Sequence, residues 1–283
     1  MRHNKSSKQI SAFTIVELAI VISVIALIIS GVFISRQLVQ TAKIANLAAD
    51  MNKYRISLLG FENQYQFLPG DMPIADQIFD YDTVSGTSNF CSTSSKCNGD
   101  GDGLITSESS AGTHHREITH AWQHLHLAGY LDVAYEGQAK GDTAVKCTAG
   151  TTCPTSNIAK KSSMFFYTYV PQSASIICGD TSTDVVTTEN LNILSLGKES
   201  SSSTYPDGLS EDAILTPIIA YHFDKKIDDG MPATGVVVSE NGADKRSSCA
   251  TTSNCNLKIN NVAHYNVSPS VSGPLCIIRA LVE

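Results

Sequence analysis

The sequence predicts an α+β fold: a long amino-terminal α-helix packed on an antiparallel β-sheet body that is rich in disulfides. Three observations carry that expectation. Residues 13–34 are apolar almost without interruption. An amphipathic helical stripe then runs on to residue 68. Beyond Pro69-Gly70 come short runs rich in Val, Ile, Phe and Tyr, set between Gly, Ser, Thr and Asn, with all eight cysteines among them.

The first run, Phe13 to Ile34, has the length that spans a bilayer as a helix. Arg2, Lys5 and Lys8 precede it with no acid among them, so its amino-terminal side is expected in the cytoplasm and the body outside. A secretory signal would have a shorter apolar core, with its small residues after that core. Here Ser11-Ala12 precede it, and the run continues without a turn signal into residues 36–43. One carboxylate, Glu17, interrupts the apolar span. A charge at the membrane centre costs about 2.5–3.5 kcal/mol on insertion scales and less near the interface, so Glu17 calls for a partner, and the span holds no cation. Cleavage after Ala12 supplies one, the free amine of Phe13. Within one helix that amine lies four residues away; in a packed bundle it can meet Glu17 of a neighbouring subunit.

The stripe that follows, Leu47, Met51, Tyr54, Leu58, Phe61, Tyr65 and Leu68, has alternating spacings of four and three, with Asp50, Lys53, Arg55 and Glu62 off the line. Such a face needs a cover, and the strands downstream make a sheet the expected one. The helix is expected from Phe13 to about Gln66, roughly 80 Å long at the α-helical rise, and to stop at Pro69-Gly70. The chain thus divides into a leader (1–12), a membrane span (13–35), an amphipathic continuation (36–68) and a globular body (69–283).

In the body, residues 82–113 read as a long loop. Glu117–Leu131 reads as a helix with Ile118, Trp122, Leu125 and Gly129 on one face. Ser163–Val170, Ala174–Cys178 and Asn190–Leu196 read as strands. Leu215–Ile227 reads as a helix with Pro217 in its first turn and a stop near Asp229-Gly230. Thr234–Ser239 and Leu275–Val282 give later strands.

Without the leader the chain carries 17 basic against 27 acidic side chains, which argues against nucleic acid as a partner. Three cysteine pairs share one spacing, Cys91/Cys97, Cys147/Cys153 and Cys249/Cys255, each enclosing five small polar residues. These read as three short disulfide loops, leaving Cys178 and Cys276 to join two distant strands with a contribution of about 4–5 kcal/mol. Disulfides at this density place the body outside the cytoplasm.

Two clusters are candidates for metal chemistry. Asn98-Gly-Asp100-Gly-Asp102-Gly-Leu104-Ile105 matches the first half of a calcium loop, with oxygen donors at Asn98, Asp100 and Asp102 and a carbonyl at Leu104. The match falters at its end, where Ser109 holds the last position and Glu108 sits one residue early. The remaining ligand is expected from Glu108 through a local bulge, from Glu117, or from elsewhere. His114, His115, His120, His124 and His126 form the second cluster. Glu117-x-x-His120-x-x-x-His124 offers zinc donors at helical spacing, yet lacks the glutamate that a metalloprotease carries directly after its first histidine, so histidines on a solvated helix face are the favoured reading. The run Asp224 to Gly230 places acids at a helix end that the macrodipole disfavours. Either Lys225 and Lys226 offset them, or the acids serve a turn and a contact elsewhere in the body. No Gly-rich phosphate loop, activated nucleophile or catalytic carboxylate pair is evident, and no enzymatic activity is expected.

Ala12-Phe13-Thr14-Ile15-Val16-Glu17 resembles the cleavage signal of type IV pilins and type II secretion pseudopilins, over about residues 8–40. The resemblance implies that a membrane-bound prepilin peptidase cuts between Ala12 and Phe13. Phe13 is then N-methylated, and the helix packs with other pilin or pseudopilin subunits, Glu17 setting register. It implies residence in a bacterial inner membrane with a periplasmic body, and a periplasmic or surface filament after assembly. Two departures are Ala12, where the family usually has Gly, and the lack of a helix-kinking Pro, with Gly31 alone able to loosen the span. The body resembles prepilin-like proteins of Gram-negative bacteria in four blocks: Leu68–Pro73 (LPGDMP), Asn98–Gly103 (NGDGDG), Ala121–Gly129 (AWQHL-x-x-AG) and Asp224–Gly235 (DKKIDDG-x-P-x-x-G). Some major pseudopilins bind calcium in a body loop. The expected function is therefore a structural filament subunit, of a secretion pseudopilus or of a pilus. A membrane-anchored periplasmic binding module, calcium-dependent and not polymerising, is the competing expectation, and a zinc hydrolase ranks last.

Overall fold

The structure, a computed structural model, describes residues 14–79, 97–106, 109–110, 113–114, 117–137, 147–156, 158, 163–170, 191–199, 211–241, 255–259, 262–268, 270–271 and 273–282. The chain divides into two compact units, Met1–Lys43 and Ile44–Glu283. Helix α1 (Ile15–Tyr65) begins in the first and ends in the second.

In the first unit every described residue is exposed. The helix there is long and apolar enough to cross a membrane.

In the second unit α1 changes character. Ile44, Leu47, Ala48, Met51, Tyr54, Ser57, Leu58 and Phe61 are buried, a three-and-four spacing that matches the apolar stripe, while Tyr65 and Leu68 are half-buried at its end. The helix stops before Pro69-Gly70: Gln66 turns into the left-handed region at φ 61°, its N–H still bonded to the Glu62 carbonyl.

The buried face of α1 covers a five-stranded antiparallel sheet. Its strands are β3 (Ser163–Val170), β4 (Leu191–Glu199), β5 (Glu211–Asp212), β6 (Val237–Asn241) and β9 (Cys276–Leu281), in the order β3-β4-β9-β6 with β5 on β4. The register aligns Phe165 with Leu196 and Tyr167 with Leu194, and these in turn with Ile278 and Ala280. Side chains alternate along a strand, so these six share one face, and all six are buried. Tyr54 of α1 meets Phe165 edge-on at 4.8 Å and Trp122 at 5.3 Å. That trio joins α1, the sheet and the helix α3 (Glu117–Leu127).

Helix α3 is shorter than the sequence implied, ending in a Schellman turn where Gly129 N–H bonds to the His126 carbonyl and Tyr130 N–H to that of Leu125. Helix α4 (Pro217–Ile227) starts with Pro at its first turn, as expected. Sequence reading missed the hairpin β7 (Asn256–Ile259) and β8 (Val262–Tyr265), the short helix α2 (Ala75–Ile78), and the pair β1 (Ser109–Ser110) and β2 (Thr113–His114) within the expected loop. The expected strand at Ala174–Cys178 lies outside the described residues.

The cysteine pairing corrects the expectation from spacing. Cys147–Cys153 is bridged. Cys255, however, bridges to Cys276 with Cα atoms 5.0 Å apart, so it is not paired with Cys249, nor Cys276 with Cys178. The reason is sheet register, which spacing in sequence does not report. Asn241 lies opposite Cys276 across β6 and β9, and its side-chain oxygen accepts the Cys255 N–H at 2.7 Å, which brings the two sulfurs together. Cys97 is bridged, and Cys91, Cys178 and Cys249 lie outside the described residues.

Candidate functional site

Two places gather the residues that sequence reading singled out. The first is the start of α1. Ala12 and Phe13 lie outside the described residues. Thr14 is the N-cap, its carbonyl accepting the first helical bond from Leu18 N–H at 3.2 Å. The Glu17 carboxylate accepts both the Thr14 N–H and the Thr14 hydroxyl at 2.9 Å. The Glu17 N–H in turn donates to Thr14 Oγ1 at 3.3 Å. This reciprocal pattern is a capping box, which satisfies amides that a helix start otherwise leaves bare. Sequence reading sought a partner for Glu17 in an amine and passed over Thr14, although Thr-x-x-Glu before an apolar run is a capping signature legible in the sequence.

The second place is where three of the four body blocks meet. Asp71 of the LPGDMP block is only 2% exposed. One of its oxygens accepts the Gly101 N–H at 2.6 Å and the other the Gly103 N–H at 2.8 Å. Glu117, fully buried at the start of α3, accepts the Asp100 N–H at 3.2 Å, the Thr106 N–H at 2.7 Å and the Thr106 hydroxyl at 3.0 Å. The NGDGDG loop is thus wrapped backbone-first around two internal carboxylates. Gly70 permits the approach: at φ +100° its missing Cβ would stand 2.3 Å from the Glu117 carbonyl oxygen.

The remaining loop oxygens are partly committed. Asn98 and Asp76 form a closed pair, Asp76 N–H to Asn98 Oδ1 at 2.8 Å and Asn98 Nδ2 to Asp76 Oδ1 at 2.7 Å. Asp100 and Asp102 each accept the amide two residues on, as in Asx-turns. Glu108 lies outside the described residues. The carboxylates that lie within 4.8 Å of one another are Asp71, Asp100 and Glu117. These are hard oxygen donors; the group includes Glu117, one of the alternatives that the sequence offered for the last ligand, adds Asp71, which the sequence did not single out, and lacks Asp102.

Burial governs the charges here. It pushes the Asp71 carboxyl up to about 6 against the pull of the Gly103 and Gly101 amides, with Asp102 and Asp100 adding to the rise. It pushes Glu117 up to about 7 against the Thr106 and Asp100 donors.

The histidines are not on a solvated face: His120 and His124 are both fully buried, because α3 is enclosed on all sides from Glu117 to Leu125. His124 Nδ1 accepts the Gly70 N–H at 2.9 Å, which fixes the proton on Nε2, and that donates to the Cys97 carbonyl at 2.7 Å. Burial holds His124 down to about 4, so it stays neutral. Its two nitrogens tie the LPGDMP block to the residue before the NGDGDG block. His126 is half-buried against the Leu131 carbonyl, the side chain of His114 is not described, and His115 lies outside the described residues.

The fourth block is a turn of the same design. Asp224 accepts the Tyr265 hydroxyl at 2.7 Å and the Gly230 N–H at 3.3 Å. Asp228 accepts the N–H groups of Val236 and Val237. Asp229 accepts the Met231 N–H and the Thr234 hydroxyl. The acids at the end of α4 therefore fasten the turn into β6 and reach β8. No protein-family model matches the chain, and neither a curated protein nor a solved structure matches it.

Proposed function

We propose that this chain is a filament subunit, of a type II secretion pseudopilus or a type IV pilus, made as a precursor and held by its amino-terminal helix until assembly. The observation that supports this best is the surface of α1 before Lys43. Its large apolar side chains, from Ile15 to Val39, are 48–86% exposed and interrupted by a single carboxylate up to Ile34. Such a surface needs lipid or other helices around it. Removal of the leader at Ala12–Phe13 would supply the amine that Glu17 meets in a neighbouring subunit. Glu17→Ala tests the reading: membrane insertion persists, while filaments and cross-linked ladders of subunits disappear. Filaments at the normal level from Glu17→Ala would refute it, as would an intact Met1 in the mass of the mature protein.

The second reading, an anchored binding module, is favoured by the grouping of Asp71, Asp100 and Glu117. Calcium would be held there by carboxylate oxygens. Under this reading Glu17→Ala leaves function intact, and calcium removal abolishes it.

A further inference from the structure

From Thr14 to Ala42 the exposed stretch of α1 carries two charges of opposite sign, Glu17 and Arg36. Arg36 also walls an open groove along the helix, together with Ile28, Gly31, Val32, Ser35 and Val39. Gly31 opens the groove, since a Cβ there would meet nothing within 4 Å. The Ser35 hydroxyl is turned back onto the Gly31 carbonyl at 2.8 Å. The floor is therefore small and apolar, and the one charge beside it is the Arg36 guanidinium. Resting on the filament reading above, we propose that this groove receives the Glu17 end of α1 from a second, parallel copy, with Glu17 against Arg36. The two residues are 19 apart in sequence, which sets the offset between the copies at about 28 Å for the α-helical rise.

Charge complementarity selects this occupant. Small residues let two helix backbones approach closely in an apolar surrounding, and a charge enclosed there without a partner is costly. A lipid would match Arg36 with its phosphate and leave Glu17 unmatched, whereas a second copy matches both. Glu17 is prepared for it: Oε2 accepts both Thr14 bonds, and Oε1 has no partner among the described residues. A bundle gives each subunit several neighbours, so the Arg36 contact stands beside the amine contact and does not replace it. The placement of the two features suits an open-ended assembly. Glu17 and Ser35 are 18 residues apart, five full helical turns, so carboxylate and groove lie on the same side of α1 at different heights. One copy can therefore engage a copy below through Glu17 and a copy above through its groove. Such a contact does not close on itself and propagates as a filament.

The experiment uses the full-length chain in cells that assemble it, with two cysteines introduced per chain and a short bis-maleimide linker. No cysteine is free among the described residues, and the unsubstituted chain serves as the blank. Val21 and Gln40, both exposed, stand one turn above Glu17 and Arg36. Val21→Cys with Gln40→Cys should give a ladder of linked subunits, because the linker cannot span the two sites within one helix. Ile20→Cys with Asn46→Cys, which an offset placing Glu17 against Lys43 would bring together, should give none. Arg36→Ala should lower the Val21–Gln40 ladder, and the yield of filaments, about tenfold, the size of a strong polar contact between membrane helices. Arg36→Lys should restore most of both, and Lys43→Ala should leave both unchanged. A ladder from Ile20–Asn46 instead, filaments of the Val21–Gln40 chain without a ladder, or full ladder and filament yield in Arg36→Ala overturns this inference alone. A wild-type chain that forms no filaments overturns the filament reading and this inference with it.

Discussion

Replacing Glu117 with glutamine separates what its charge does from what its hydrogen bonds do. The folded carboxyl titrates near 7, against an ordinary value of 4.5 in the unfolded chain. Between those values the folded state holds a proton that the unfolded state has released, so stability is highest below about pH 4.5 and falls as pH rises through 7. The shift amounts to about 3 kcal/mol across that window. Glutamine has no such fall. Its carbonyl can still accept the Thr106 N–H and hydroxyl, but its amide faces the Asp100 N–H and loses that bond, at a cost of about 1–2 kcal/mol at every pH. The variant should therefore be less stable than wild type at pH 4.5, more stable at pH 8, and equal near pH 6. For a body of this size the swing corresponds to about 6–12 °C in relative melting temperature. Trp122, the single tryptophan and fully buried against Tyr54, reports unfolding by fluorescence in the detergent-solubilised chain. Asp224 and His124 also titrate with altered values, but they are present in both proteins and cancel in the difference; Asp71, whose carboxylate lies within 4.8 Å of that of Glu117, does not cancel and moves with the exchange. A constant difference in melting temperature from pH 4.5 to 8 would refute the assignment of a buried, titrating Glu117.

Calcium at millimolar concentration should raise the wild-type melting temperature at pH 8 and have little effect at pH 5, where Asp71 and Glu117 are mostly protonated; no rise at pH 8 removes calcium from the proposal. Peptide mapping of the non-reduced protein should recover Cys255 linked to Cys276, and Cys276→Ser should cost about 3 kcal/mol in a loop of that length, measured by denaturant unfolding. Gly235→Ala should cost about 3 kcal/mol or more, because at φ +83° its Cβ would stand 1.8 Å from Asp228 Oδ2; a melting temperature within 2 °C of wild type would show that the turn is not held as described.

Much of α1 was legible in the sequence because its evidence is local and periodic. The stripe from Leu47 to Phe61 is buried residue for residue at the expected positions, while residues 36–43, expected to open the amphipathic stretch, are exposed on every side and burial begins at Ile44. Helix α4 and strands β3, β4, β6 and β9 were also close to their expected ranges, since Pro217 and runs of branched and aromatic residues are strong local signals. What failed was non-local. Equal spacing of the cysteines suggested local loops, whereas the Cys255–Cys276 bridge is decided by how Asn241 sits opposite Cys276. His120 and His124 read as solvated because the polar residues around them look like a surface. They are core because Glu117 and His124 meet backbone amides from segments 11 to 54 residues away in sequence. Asp71 was overlooked for the same reason, since nothing near it in sequence shows that its partners are Gly101 and Gly103.

That pattern explains why the body carries acidic, glycine-rich blocks. Loops dominate the segments around α3 and after α4, and a buried loop must satisfy backbone amides that no helix or ladder supplies. A carboxylate with two oxygens can accept several at once. Asp71 takes two, Glu117 two with a hydroxyl besides, and Asp228 two from adjacent residues, while His124 takes one more and donates to a carbonyl. Glycine is required where such a carboxylate or a helix carbonyl comes closest to the chain, as at Gly70 and Gly235. The glycines and acids of the blocks are therefore parts of the same contacts, and replacing either should fail in the same way. The helix start follows the identical rule on a smaller scale, with Glu17 closing the bare amide of Thr14. Under the proposed filament reading the body must hold its shape while its helix changes surroundings, and internal carboxylates that bind loop amides would supply that without a large sheet.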